Sequence, residues 1–215
     1  MKKRILILIL ATTGLFSCKQ NDKSTPDSAK DSESQKSLTN KSVYSTYKYT
    51  DSDGAHVTIQ NSFPKGGMKY TDPTGKEYRY AIFWTQISNE TNHPLEVRID
   101  FPIHSYEVPS MPGSYFKILM PPNPMTSEKV SLFNYGLTDL EPFLDQNFDK
   151  SSSLKRIINP KKSSSFYVVL LSVTNGARGT LRTGLSIKGQ NLFYKINDKE
   201  IHCGNINLEN LILQQ

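Results

Sequence analysis

The stretch that decides the fold is residues 78–102, YRYAIFWTQISNETNHPLEVRIDFP. In its second half Leu95, Val97, Ile99 and Phe101 alternate with Glu96, Arg98 and Asp100. A period of two places the four apolar side chains on one face of an extended chain, so this is a strand buried on one side and wet on the other. The first half, residues 78–88, is a longer run of aromatic and branched residues with strong β preference. Between them, NETNHP has the Asn and Pro chemistry of a turn and predicts a hairpin joining the two strands.

The same period recurs outward from this pair. VYSTYKYT, AHVTIQN, SYFKILM, SLKRII, FYVVLLSVT, TLRTGLSIK, LFYKI and EIHCGNINL all read as short strands, with Gly, Pro, Asn or Asp between most of them. Many short strands with such punctuation predict an all-β, antiparallel sandwich or barrel, and the sandwich is the reading adopted. One stretch, GLTDLEPFLDQNF, has helical spacing through Leu140, Phe143, Leu144 and Phe148, with Thr138 and Glu141 spaced as a capping box. Pro142 conflicts with a start at Thr138, which places the helix start nearer Glu141 with Pro142 in the first turn. The sandwich is thus expected to carry one short helix in a connection.

FWTQISNETNHPLEVRIDFP, taken with the later IINPKKSSSFYVVLL, resembles an Ig-like sandwich pattern. In that pattern a strand ends in N-x-T-x-x-P-L, and a later strand is reached through a Pro-containing turn and a Ser-rich step. The Cys-Trp-Cys constellation of antibody-type domains is missing, so Trp84 is read as a core aromatic on its strand.

The amino terminus follows different rules. Lys2, Lys3 and Arg4 precede an apolar stretch at residues 5–11, and LFSC follows at residues 15–18. The apolar stretch is well short of the roughly twenty residues a spanning helix needs, and it reads as a signal peptide over residues 1–17. Leu15, Phe16 and Ser17 leading directly into Cys18 resemble the lipobox of bacterial lipoproteins, and the chain resembles uncharacterised Bacteroidetes lipoproteins of this size. The resemblance implies lipidation of Cys18, cleavage before it and acylation of the new amino terminus, which anchors the protein in a membrane. Cys203 is then the one remaining cysteine of the mature chain, with no disulfide framework. His202 and Cys203 are adjacent on a predicted strand and point to opposite faces, so they do not form a metal grip, and Cys203 is read as a small buried thiol.

From residue 19 to 42 the chain is dominated by Ser, Lys, Asp, Asn and Gln, too polar to offset its ordering entropy. Residues 18–42 are expected to form a lipidated cysteine and a disordered tether, followed by one domain over residues 43–215. A coil of 24 residues holds that domain on the order of 25–30 Å from the anchor. DSA at residues 27–29 resembles the O-glycosylation acceptor of Bacteroidetes and implies a glycan on Ser28; a chance tripeptide in a Ser-rich linker is the alternative. Lys19 is not the Asp that resembles an inner-membrane retention signal, and KQND partly resembles a surface-export signal. The expected location is the outer membrane, with either face open.

Eight of the 26 Lys and Arg residues and four of the 20 Asp and Glu residues precede Val43, leaving 18 against 16 in the domain. A net charge of +2, scattered along the chain, gives no clustered basic face for nucleic acid. His56, His93, His104 and His202 share no ligand spacing, GxSxG is absent, and no metal or cofactor is expected. Glu77, Glu90, Asp100 and Glu107 leave a glycosidase-like pairing open, which sequence cannot test.

Six of the twelve prolines fall between Pro102 and Pro124. Repeated Pro stiffens a connection, so Tyr106, Met111, Tyr115 and Phe116 are candidates for a partner-binding loop. The alternative is that the prolines protect sheet edges and the aromatics belong to the core. The functional expectation is a lipid-anchored envelope protein whose sandwich binds or scaffolds an envelope protein or glycan without chemistry of its own. The alternatives are an envelope glycan-acting hydrolase and an accessory subunit of an outer-membrane complex.

Overall fold

The computed structural model describes residues 41–50, 54–172 and 180–208. Cys18, Ser28 and the polar segment up to residue 40 lie outside the described residues. The remainder is an all-β, antiparallel sandwich with one short α-helix in a connection. One sheet runs in the order β1 (Val43–Thr50), β2 (His56–Ser62), β4 (Glu77–Asn89), β9 (Lys162–Ser172), β7 (Met111–Leu119), β6 (Tyr106–Val108), with β3 (Lys65–Thr71) also paired to β4. The second runs β10 (Thr183–Lys188), β11 (Asn191–Ile196), β12 (Lys199–Ile206), β5 (Leu95–Phe101), β8 (Ser152–Ile158).

The alternation in β5 holds: Leu95, Val97, Ile99 and Phe101 are buried against the first sheet. β4 and β9 behave differently, because both of their faces are covered. Ala81, Phe83 and Ile87 of β4 and Phe166, Val168 and Leu170 of β9 face the second sheet. Tyr78, Tyr80, Ile82 and Trp84, with Tyr167, Val169 and Leu171, face outward into a second core. That core is closed by Met125, Val130, Tyr135, Leu137, Leu140 and Leu144 from the connection between β7 and β8. Trp84 is a core aromatic, as expected, but its core is this outer one. A strand buried on both faces shows no alternation, which is why residues 78–88 read as a continuous β-rich run.

The expected hairpin between β4 and β5 does not form, since the two strands belong to different sheets. β9 takes one edge of β4 along nearly its whole length, and β3 and then β2 take the other. With no free edge to fold back on, the chain crosses to the opposite sheet at Asn89. There the Asn89 amide is saturated: Nδ2 donates to the carbonyls of His93 at 2.7 Å and Ile158 at 2.9 Å, and Oδ1 accepts from Thr91 N at 3.0 Å and Oγ1 at 2.6 Å. The N-x-T-x-x-P-L signature is thus an inter-sheet corner.

The helix α1 (Leu140–Asn147) has Pro142 in its first turn, as expected, but the Thr138–Glu141 capping box does not form. The cap residue is Asp139, in a left-handed conformation with φ 55°, and it makes no side-chain cap bond. A box on Asp139 would need its partner at Pro142, which has no carboxylate to reach back and no N–H to offer. At the other end of α1 the ammonium of Lys117, buried in β7, donates to the carbonyl of Phe148. A cation at that carbonyl is well placed against the helix dipole.

Candidate functional site

A cleft of about 470 Å³ opens where the β2–β3 connection approaches the chain entering β10. Its apolar wall is Ala81, Phe116, Leu170 and Leu181, and its rim is Pro64, Lys65, Gly66, Gly67 and Arg79. Phe116 and Leu170 reach it from the inner faces of β7 and β9, so the cleft continues the space between the two sheets. Among the described lining residues the charged groups are Lys65 and Arg79, both cationic.

The rim is placed by the outer layer. Tyr135 has a left-handed backbone, φ 56°, between Asn134 and Gly136 in the same region, which costs a bulky residue about 1–3 kcal/mol. Its hydroxyl donates to the Phe63 carbonyl at 2.7 Å, and its own carbonyl accepts from the Tyr167 hydroxyl at 2.7 Å. Lys65 Nζ donates to the carbonyls of Val130 at 2.8 Å and Leu132 at 2.7 Å and lies 4.1 Å from the centre of the Tyr135 ring. Partial desolvation holds the Lys65 ammonium below its ordinary pKa. Gly66 has φ 106°, and a β-carbon there would lie 3.0 Å from the Tyr80 carbonyl. Glycine is therefore required for β3 to approach β4 at this point. Arg79 Nη1 donates to the Gly67 carbonyl at 3.1 Å.

The second sheet is joined to this flank by side chains. Asn61 Nδ2 donates to the Leu185 carbonyl at 3.1 Å and Asn61 Oδ1 accepts from Leu185 N at 2.9 Å. The Tyr49 hydroxyl accepts from Ile187 N at 2.7 Å. Leu185 and Ile187 lie in β10, the edge strand of the second sheet, so polar side chains of β1 and β2 occupy edge groups that another strand would otherwise pair.

The four residues singled out in the proline-rich stretch are divided between environments. Met111 and Phe116 are buried in the inner core, Tyr106 packs partly against it, and Tyr115 is 45% exposed. Tyr106 and Phe116 are cross-strand partners in the β6–β7 hairpin. Phe116 contributes to the wall of the cleft, while Tyr106 lines a second, more open hollow of about 510 Å³ with Glu107, Pro109, Pro112 and Lys199. Glu107 Oε1 there accepts from Gly113 N at 2.9 Å.

The remaining candidate groups are dispersed. Glu77 pairs with Lys69 at 3.1 Å, Glu90 sits at the Asn89 corner, and Asp100 lies opposite Ser153 in the second sheet. His56 begins β2, and the His93 carbonyl serves the corner. The His104 ring packs on Tyr106, and the exposed His202 meets Asn191. Among the described residues no three His, Cys, Asp or Glu side chains gather in a form able to hold a metal ion. Cys203 is buried, donates weakly to the Leu192 carbonyl at 3.5 Å, and has its pKa pushed up to about 12, first by desolvation and then by the charge of Asp100.

No family model and no curated protein matches the chain. Fold and site define its class: an antiparallel β-sandwich with a second outer core and an apolar, cation-rimmed cleft at one flank. No local pattern marks Lys65, Arg79 or the Gly66–Gly67 pair, since KGG has the form of a glycine-bearing turn. The pairing of β3 with β4 gives those residues their place.

Proposed function

We propose that this chain is a lipid-anchored envelope protein, held in the outer membrane through Cys18, whose sandwich binds a ligand or partner and does no covalent chemistry. The anchor rests on residues 1–18, and binding rests on one observation, the cleft with an apolar wall and a rim carrying Lys65 and Arg79. Apolar walls with a few placed polar groups are the usual form of a binding site, and this charge balance suits an apolar group bearing an anion. Partners of this kind include an acidic segment of an envelope protein or an acidic glycan.

Titration with anilinonaphthalene sulfonate, an apolar anion, tests the binding half. Ala81→Phe, which fills the cleft, and Arg79→Glu, which reverses its rim, are each expected to weaken binding roughly tenfold, the scale of one lost apolar or charged contact. Unchanged binding in both variants would reject the cleft as the site. Cys18→Ser tests the anchor: the protein should move from the membrane to the soluble fraction and fail to incorporate radiolabelled palmitate. Membrane retention of that variant would reject lipidation.

A further inference from the structure

We infer that the flank carrying Tyr44, Phe63, Arg182, Lys65, Leu132 and Phe133 lies against an anionic lipid surface. This inference rests on the proposed anchor at Cys18, because the tether brings the flank to the bilayer.

Large apolar side chains are exposed here in unusual number. Tyr44 is 43%, Phe63 36%, Leu132 51% and Phe133 75% exposed, and Phe133 is the most exposed large apolar residue among those described. They form one surface. The rings of Tyr44 and Phe63 meet edge to face at 5.6 Å, and the Arg182 guanidinium lies 5.3 Å and 5.0 Å from their centres. Phe63 is held to the outer layer through Tyr135, and Lys65 is held to the carbonyl of Leu132, which precedes Phe133. Exposed apolar patches of this kind mark interaction surfaces.

The charge of the patch selects an anionic surface. None of the ion pairs among the described residues includes Lys65 or Arg182. Arg182 beside the exposed rings of Tyr44 and Phe63, and Lys65 beside the exposed Leu132, match an interface where apolar side chains enter the headgroup layer and cations meet lipid phosphates.

The path of the chain selects a membrane over other anionic partners. Phe63 N donates to the Ser42 carbonyl at 3.0 Å, so the polar segment enters the fold directly beside the patch. As the random coil its composition predicts, a tether of 24 residues between Cys18 and Val43 gives the flank a root-mean-square distance of about 25–30 Å from the anchor. At that range even a weak surface contact is made continually, since it is intramolecular once the lipid is inserted.

The test uses the mature chain from residue 18 with Cys18→Ser, so that no lipid contributes, sedimented with phosphatidylcholine vesicles containing about one third phosphatidylglycerol or none. The chain should sediment with the anionic vesicles, release at high salt, and not sediment with the neutral ones. Phe63→Ser with Phe133→Ser should weaken vesicle binding roughly a hundredfold, about tenfold for each inserted ring lost. Ile157→Ser, on the edge strand β8 and 66% exposed, should change nothing. Phe133→Ser alone keeps the test open if Phe63→Ser disturbs the rim, because Phe133 is no core residue.

Failure to sediment with anionic vesicles, equal sedimentation of the Phe133→Ser chain, or an equal loss with Ile157→Ser would overturn the inference. So would a dimer in light scattering that dissociates with Phe133→Ser, which would assign the patch to a second copy. Fractionation of the wild-type and Cys18→Ser chains reads the anchor separately, so failure of one reading is distinguishable from failure of the other.

Discussion

Asn61 joins the two sheets by treating Leu185 as a strand would: its side-chain amide donates to the Leu185 carbonyl and accepts from the Leu185 amide. The same oxygen also accepts from the Thr85 hydroxyl at 3.0 Å, and Asn61 is buried. Asn61→Ala is expected to lower stability by about 3 kcal/mol, because it strands two backbone groups of β10 away from water. Urea unfolding reads this directly. A loss below about 1 kcal/mol would mean that water replaces the amide at that edge.

At the other sheet crossing, Asn89→Ala should cost roughly 2–4 kcal/mol, since all of its hydrogen-bonding capacity is used. Thr91→Val should cost less, about 1 kcal/mol, because the Asn89 bonds to His93 and Ile158 survive it. If thermal melts place the two variants together, the corner is held by its backbone and not by Asn89.

Gly204 lies where β12 pairs with β5, with φ 149° and Arg98 O only 1.9 Å from the position of an added β-carbon. Backbone on the neighbouring strand cannot yield like a side chain, so Gly204→Ala should prevent or severely impair folding. Gly189→Ala also enters a positive φ, 61°, but meets no atom within 4 Å, and its cost should be about 1 kcal/mol. Comparable soluble yields and denaturation midpoints for the two variants would refute the assigned contact.

Stability should fall at alkaline pH. The folded Cys203 thiol has its pKa raised from 9.0 to about 12 by burial, and Tyr167 is raised from 10.0 to about 12 by the same cause. An acid that releases its proton more readily when unfolded contributes full stability below its unfolded pKa and loses it as pH climbs toward the folded value. The melting temperature is expected to decline from about pH 9 upward, and Cys203→Ala should delay the onset. The native thiol should also resist maleimide at pH 8 and react on unfolding.

The strand content was readable because exposure leaves a period. β5 writes its burial into four alternating residues, and β1, β2, β11 and β12 fall within a residue or two of their apolar runs. β3 was not readable, because its two glycines look like a turn until the open edge of β4 pairs with them. The outer core was hidden for a similar reason. Tyr78, Tyr80, Ile82 and Trp84 carry no mark that says which layer covers them. The candidate site was the least legible part, since Lys65 and Arg79 of paired strands and Leu181, far along the chain, come to one cleft only through the fold.

The sequence by itself determined the antiparallel β class, the short helix with Pro142 in its first turn, the burial of Trp84 and Cys203, and the opposed directions of Cys203 and His202. These follow from neighbours along the chain, where period, turn residues and proline act locally. Only the tertiary structure decided that β4 and β5 part at Asn89, that residues 125–144 roof the first sheet, and that Tyr135 and Lys65 set the rim of the cleft. Each depends on which strand edges are already taken and which faces remain uncovered. Competition of that kind among distant segments leaves no local period to read.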